Sequence, residues 1–516
     1  MKKMVRGSII LLLVTALLNV FSIFAFADDA PAPVGDPAGT NITSVSDIPA
    51  KEAGKPTQDE INAQVASNRL GVNYVWVAMT AMLVFFFQAG FAMVETGFVR
   101  AKNAMHTMAM NFMVFLVGAI GYYICGFALQ FGGVGSWPLL GSGTSTLNHE
   151  ITIGGLGILG TKGFFLTSGG TYDTGVYLLF FFQMVFMDTT CTIPTGAVAE
   201  RVKYSAIVVG SFFVSMIYYP LFGNWMWGGG WLSQLGAKFG LGHGGVDFAG
   251  SAVVHAMGGM MAFASAIVIG PRIGKYKKDG TSVAFPGHDL CMAIIGTILL
   301  FFCWFAFNAG STMSGTDFRL SVVMTNTMLA GAVGGFVAMM YMWARYGKPD
   351  PSMTINGCLA GLVAITAPCA FVSSISACII AIIAGFLVCF AVEFIDKKLK
   401  VDDPVGAIAV HGVNGVWGVI SLGLFADGTY GNGLNGVSGG VKGLFFGDPG
   451  QLVAQLIVVL VLIVWGFGSS FLFYKILDKI MGIRVSPEVE LQGLDIPEMG
   501  IGAYADFAIN NSSDGK

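Results

Sequence analysis

Two acid–histidine pairs with identical spacing stand in long apolar runs. "DFAGSAVVHAMGG" begins at Asp247 and contains His255, and "DPVGAIAVHGVNG" runs from Asp403 through His411, each histidine eight residues after its acid. An aspartate at a helix start can cap free backbone N–H groups and suits the helix dipole. For Asp403, beside Asp402, capping alone is sufficient; for Asp247, capping and a functional role are compatible. An imidazole has two ring nitrogens that act as donor and acceptor, so two bonded imidazoles can hold a small polar molecule and relay a proton. Ionisable residues inside a membrane span mark transport paths by default. The bland alternative is a neutral pair that ties two helices together. No Cys or carboxylate cluster with ligand spacing lies near either histidine, so neither a metal nor a cofactor is expected. His106, His149, His243 and His288 sit near span ends or in loops and read as interfacial.

The elements that must position these residues are membrane helices. The 516 residues are 54% hydrophobic and 11% charged, against about 25% charged in soluble domains. The 72 glycines suit close helix packing in lipid. A net charge of −3 gives no footing for nucleic acid. The eight cysteines lie in apolar runs without a Cys-x-x-Cys pair and read as small buried hydrophobes.

Lys2, Lys3 and Arg6 precede an apolar run from Ile9 to Phe24 and the small-residue site "AFA". Residues 1–27 therefore read as a secretory signal peptide, with an uncleaved first helix as the rival. Residues 28–72 read as a flexible exported arm. Residues 73–480 divide into eleven apolar stretches of spanning length: 73–97, 104–131, 174–194, 204–225, 247–270, 288–312, 319–345, 353–371, 373–394, 403–425 and 451–478. Residues 481–516 form a tail. Thirteen basic residues fall in loops after odd-numbered spans: Arg100, Lys102, Arg201, Lys203, Arg272, Lys275, Lys277, Lys278, Arg345, Lys348, Lys397, Lys398 and Lys400. Only Lys162, Lys238, Arg319 and Lys442 follow even ones. The positive-inside rule puts the odd loops and the tail in the cytoplasm and the N-terminus outside.

The acid–histidine stretches coincide at Asp247/Asp403, Gly250/Gly406, Val254/Val410, His255/His411 and Gly259/Gly415, in spans five and ten. A repeat of five spans crosses the membrane in opposite senses, the pattern of inverted-repeat transporters. Each histidine lies about 12 Å of helix rise from its acid, and half a bilayer core is about 15 Å. Entering from opposite faces, the two can meet mid-membrane. The fold class is thus an all-α polytopic membrane protein of eleven transmembrane helices with a five-plus-five inverted repeat.

Aromatic clusters accompany the pair: "FFFQAGF" from Phe85, "FFFQMVF" from Phe180, "WMWGGGW" from Trp225 and "WFAFNAGST" from Trp304. Lipid contact and packing explain most such rings, but not the glutamines and "FNAGST" beside them. With "DFAGSAVVH", "TGAVAER", "HGVNGVWG" and the tail "GIRVSPEVELQGLDIPE", the chain resembles the ammonium transporters of the Amt/Mep/Rh superfamily over residues 73–505, and Trp227 favours the Amt branch. The resemblance implies a homotrimer in the cell membrane with one pore per subunit, conducting ammonium or ammonia, with methylammonium a candidate further substrate whose tolerance the sequence does not give. Trp227, Ser311 and Phe186 would form an outer recruitment site supported by Asp247. Phe186 and Phe307 would form a stacked gate. His255 and His411 would line the pore, with Trp304 on its wall. Such tails often meet a PII-type regulator.

Ammonium resembles potassium in size and charge, and aromatic rings attract either cation by about 0.5–2 kcal/mol each. Ammonium can give up a proton and cross an apolar pore as ammonia; potassium has no neutral form. The Asp188 of "FMDTTCTIPTG" departs from the common pattern and is expected either to bond Thr189, Thr190 or a neighbouring helix, or to draw cations inward. An ammonium sensor is the rival function. A membrane enzyme is disfavoured, because no nucleophile–base set is present.

Overall fold

The structure, a computed structural model, describes residues 44–167, 174–430 and 433–504. The signal-peptide stretch 1–27, residues 28–43 of the arm and the tail beyond 504 lie outside them. Among the described residues ten helices are long and apolar enough to cross a membrane. They are α1 (Gln58–Phe98), α2 (Ala101–Phe131), α3 (Thr174–Val198), α4 (Tyr204–Trp227), α5 (Ser251–Ile269), α6 (Leu290–Gly310), α7 (Arg319–Tyr346), α9 (Ser374–Leu399), α10 (Ile408–Phe425) and α11 (Pro449–Met481). The eleventh expected span is the shorter apolar helix α8 (Pro351–Ile365). The tail carries α12 (Pro487–Gln492).

Three local features depart from the sequence reading. The first helix begins at Gln58, not near 73. Thr57 Oγ1 accepts the Glu60 N–H, and the Glu60 carboxylate accepts the Thr57 N–H at 2.7 Å, a reciprocal cap that starts the helix well before its apolar part. Part of the expected arm is therefore helical. Second, α8 stops at Ile365, where the apolar run reaches 371. The Thr366 and Ala367 carbonyls accept Ala249 N and Phe248 N at 3.2 Å, so the broken turn is satisfied by the head of α5. Irregular backbone at membrane depth is tolerated only when buried and paired in this way. Third, an antiparallel hairpin, β1 (Glu150–Ile153) with β2 (Leu156–Gly160), fills the loop after α2. It docks on the end of α4 through Trp225 Nε1 to the Ile158 carbonyl at 2.9 Å.

The basic loops after α1, α3 and α5 converge on one face of the bundle with the segment before α10 and the tail. Arg272 donates to both oxygens of Asp402 at 2.8 and 2.9 Å and pairs with Glu200 at 3.3 Å. Arg201 reaches the Asp402 carbonyl at 2.8 Å, and Arg100 Nε binds Glu200 at 2.6 Å. Arg484 holds Glu490 at 2.9 Å, and Asp495 caps the start of α2 through the N–H groups of Met105 and His106. Burial alone would raise the Asp402 carboxyl, but the bonds from Arg272 and the charges of Arg201 and Arg272 hold it well below the usual carboxylate range. Burial lowers the Arg201 guanidinium to about 10.

Asp402→Asn leaves buried cations without their carboxylate, which costs about 3–5 kcal/mol. The expected readout is a clearly lower melting temperature for the detergent-solubilised protein; an unchanged one contradicts the cluster's role. The sign with pH follows from the depressed folded value. The wild-type contribution is full above the unfolded value, about 3.9, and is lost only as pH falls through the lower folded value. The wild-type advantage should therefore persist where exposed carboxylates begin to protonate.

Candidate functional site

The heads of α5 and α10 are built alike. Asp247 accepts the N–H groups of Gly250, Ser251, Ala252 and Val253 at 2.8–3.0 Å. Asp403 accepts those of Val405, Gly406 and Ile408 at 2.8–3.3 Å. Free N–H groups at a helix start need such an acceptor when buried. The turns that follow are π-helical, Ser251–Ala256 and Ile408–Val413, and each contains its histidine. Gly250 has φ +117, and a Cβ there would meet Val254 at 2.7 Å, so glycine is required at the cap.

The two helices cross head to tail. A Cβ on Gly259 would lie 2.1 Å from Gly412 N, and one on Gly415 would lie 2.6 Å from the Ser251 carbonyl. Rising numbers on one helix thus meet falling numbers on the other. This backbone contact brings His255 Nδ1 within 3.3 Å of His411 Nδ1, with the rings stacked at 22°. A hydrogen bond between these two nitrogens requires complementary tautomers, with one Nδ1 protonated and the other accepting. His255 Nε2 is buried without a hydrogen-bond partner.

Rings surround the pair. Trp304 stacks on His255 at 4.9 Å and is fixed by Nε1 donating to Thr366 Oγ1 at 2.8 Å. Phe307 lies 5.4 Å from His255 and stacks on Phe186 at 4.1 Å, closing the path toward the hairpin-bearing end. Phe87 backs Phe307 at 5.0 Å, and Phe91 packs on His411 at 5.6 Å. Beyond Phe186 lies a cavity of about 260 Å³ lined by Phe182, Gln183, Phe186, Trp227, Asp247 and Ser311, among others. Trp227 stands edge-on to Phe186 and donates Nε1–H to the Asp247 carbonyl at 2.7 Å. Ser311 Oγ donates to the Phe307 carbonyl at 2.9 Å, so its lone pairs remain available as acceptors. Arg319 lines the same cavity, its charge held by Asp317 at 2.8 Å.

The structure thus gathers Trp227, Ser311, Phe186, Asp247, Phe307, Trp304, His255 and His411 along one path. Phe87, Phe91 and Thr366 belong beside them and were not singled out. The "FFFQAGF" run flagged the aromatics, but helix phase decides between them: Phe85 and Phe86 are 37% and 51% exposed, whereas Phe87 and Phe91 are buried. Two expectations are corrected. His106 and His243 are buried rather than interfacial. Asp188 does not bond Thr189 or Thr190, whose hydroxyls donate to the Val185 and the Phe186 and Val254 carbonyls; its Oδ1 is buried without a partner. A larger cavity of about 700 Å³, lined by apolar residues of α5, α9, α10 and α11, lies off this path.

A profile of the Ammonium Transporter Family matches residues 75–504. The Archaeoglobus fulgidus ammonium transporter Amt2 is 48% identical over 440 residues, 85% of this chain and 89% of that protein. Ammonium transporter Amt1 of Haloferax mediterranei is 34% identical over 456 residues, 85% of this chain and 80% of that one. Among solved structures, a sensor Amt protein superimposes with a TM-score of 0.72 at 36% identity, covering 84% of this chain and 99% of its own. Candida albicans Mep2 gives 0.70 at 28% identity, covering 84% and 90%.

Gly259→Ala places a methyl group against the backbone of Gly412. Overpacking of this kind costs about 1–3 kcal/mol. A lower melting temperature than wild type is expected, and an unchanged one contradicts backbone contact at this crossing.

Proposed function

The chain belongs to the ammonium transporter family, and from that premise we propose how it moves its substrate: ammonium is recruited at an aromatic mouth, gives a proton to water of the outer aqueous phase at the Phe186–Phe307 gate, and crosses the twin-histidine pore as ammonia. It is a multi-pass membrane transporter and not an enzyme. The observation that carries the mechanism is the 3.3 Å contact between His255 and His411 beneath the stacked phenylalanines.

The mouth suits a cation. The ring of Trp227, the faces of Phe182 and Phe186, and the Ser311 hydroxyl border one cavity. Ring quadrupoles attract a cation there by about 0.5–2 kcal/mol each, and the hydroxyl accepts an N–H. The Asp247 carboxylate is fully engaged in capping α5, where it offsets the positive end of that helix, and the Asp247 backbone carbonyl supports the mouth by accepting the Trp227 Nε1–H. Past the gate, the walls are apolar rings, where a bare cation is strongly disfavoured. Ammonia still finds partners, because the shared tautomers of the histidines offer both a donor and an acceptor.

In this reading the Trp227 mouth faces outward and the charged cluster and tail face the cytoplasm, as the basic loops require. The membrane is the cell membrane, reached by way of the N-terminal signal peptide. The assembly is a homotrimer. Val65, Val72, Val75, Met79 and Met82 of α1 are exposed at alternating three- and four-residue or whole-heptad spacings, a seam suited to a second copy. The tail, docked by Asp495 and Lys102, offers a surface for a PII-type regulator.

Proteoliposomes test the mechanism directly. Wild type should give ammonium-dependent flux without potassium current, and His255→Ala/His411→Ala should admit potassium. Absence of wild-type ammonium flux contradicts transport. Potassium exclusion retained in the double variant contradicts proton removal as the filter.

A further inference from the structure

Below His411 the path reaches a small cavity of about 20 Å³, lined by Phe91, Val94, Glu95, Ile193, Asn356 and His411, among others. Roughly 10–15 Å³ on this measure holds one water, so the cavity accommodates a single molecule the size of ammonia. Glu95 is 2% exposed and takes no part in the mouth or the histidine pair. It follows Phe91 by one helical turn, and Phe91 packs on His411.

Two neighbouring helices supply donors to its carboxylate. Asn111 of α2 donates Nδ2–H to Oε2 at 2.8 Å, and Thr195 of α3 donates at 2.8 Å to Oε2 and lies 3.0 Å from Oε1. Asn111 is itself fixed by Thr192, whose hydroxyl donates to Oδ1 at 2.6 Å, and by Gln88, which bonds its carbonyl. A Cβ on Gly196 would come within 3.0 Å of Oε1. All these donors are neutral. None of the ion pairs among the described residues includes Glu95. A buried carboxylate with neutral support and no resident cation, facing a cavity of ligand size, is placed to exchange a proton or receive a cation.

We propose that Glu95 is an inner ammonium site where ammonia leaving the histidines recovers a proton; this rests on the reading that ammonia is the species that passes them. Ammonia takes the proton of the Glu95 carboxyl: an O–H bond breaks, an N–H bond forms, and ammonium stands against the carboxylate. The ammonium departs, and a proton from the inner aqueous phase restores the acid. Asn111 and Thr195 position the carboxyl in both forms. The titratable groups that face it are His411 across the cavity and Asp403 at the head of α10. The facing side chains of α2, α3 and α8 are Asn111, Thr192, Thr195 and Asn356, none of which titrates.

The test uses the full chain in proteoliposomes, with ammonium flux measured at fixed outer pH while inner pH is stepped across neutrality. Glu95→Gln is isosteric and can still bond Thr195 and Asn111. It should lower maximal flux by at least about tenfold, the low end of general acid–base contributions being roughly a hundredfold. Half-saturating outer ammonium should stay unchanged, and the inner-pH profile should flatten. Glu95→Asp should restore part of the flux and a displaced profile. Wild-type maximal flux and inner-pH profile in a folded Glu95→Gln variant overturn the proposal. Should that variant fail to fold, Glu95→Asp decides alone: a displaced profile supports the proposal and an identical one overturns it. Absence of flux in wild type overturns the transport reading itself.

Discussion

Backbone contact between two helices of opposite sense is the constraint on which the rest of this structure depends. Imidazoles share a proton only when their nitrogens approach to hydrogen-bond distance, and helices bearing ordinary side chains keep their axes about 8–10 Å apart. Gly259 against Gly412, and Gly415 against Ser251, remove the side chains that would hold α5 and α10 apart. The π-helical turns then place His255 and His411 face to face, with Nδ1 atoms 3.3 Å apart. Small residues at helix crossings serve this purpose generally in membranes; here the crossing also builds the site.

A helix that begins inside a membrane protein must satisfy its first N–H groups without water. Asp247 and Asp403 do so at symmetric positions, and the same residues set the depth of the histidines that follow. Asp247 has a second effect: its carbonyl holds Trp227, so the cap of α5 and the wall of the cavity beyond Phe186 are one unit. The broken end of α8 adds a further support. Thr366 holds Trp304 against His255 by its hydroxyl, while its carbonyl binds the segment leading into α5. The charged cluster at the far end ties the loops after α1, α3 and α5 to the tail and so fixes the ends of those helices.

Much of this was legible in the sequence because it follows from periodicity and cost. Apolar length located the helices, and the matched Asp–His spacing announced two elements of opposite sense. What remained hidden depends on phase and on partners far away in the chain. Phe87 and Phe91 differ from Phe85 and Phe86 only in the direction they face. The start of α1 at Gln58 rests on a cap that lies outside the apolar pattern. The end of α8 at Ile365 is decided by Phe248 and Ala249, more than a hundred residues earlier. Glu95 lies within an ordinary-looking "MVETGF"; its significance emerges only when Asn111, Thr195 and the cavity below His411 meet around it.

The central claim is that the two imidazoles hold one proton between their Nδ1 atoms. Nitrogen-15 magnetic resonance of histidine-labelled protein in bilayers reads this state directly. Complementary tautomers are predicted, with one Nδ1 protonated, the other an acceptor, and a scalar coupling between them across the hydrogen bond. Two Nε2–H tautomers with no coupling between the Nδ1 atoms would contradict the account.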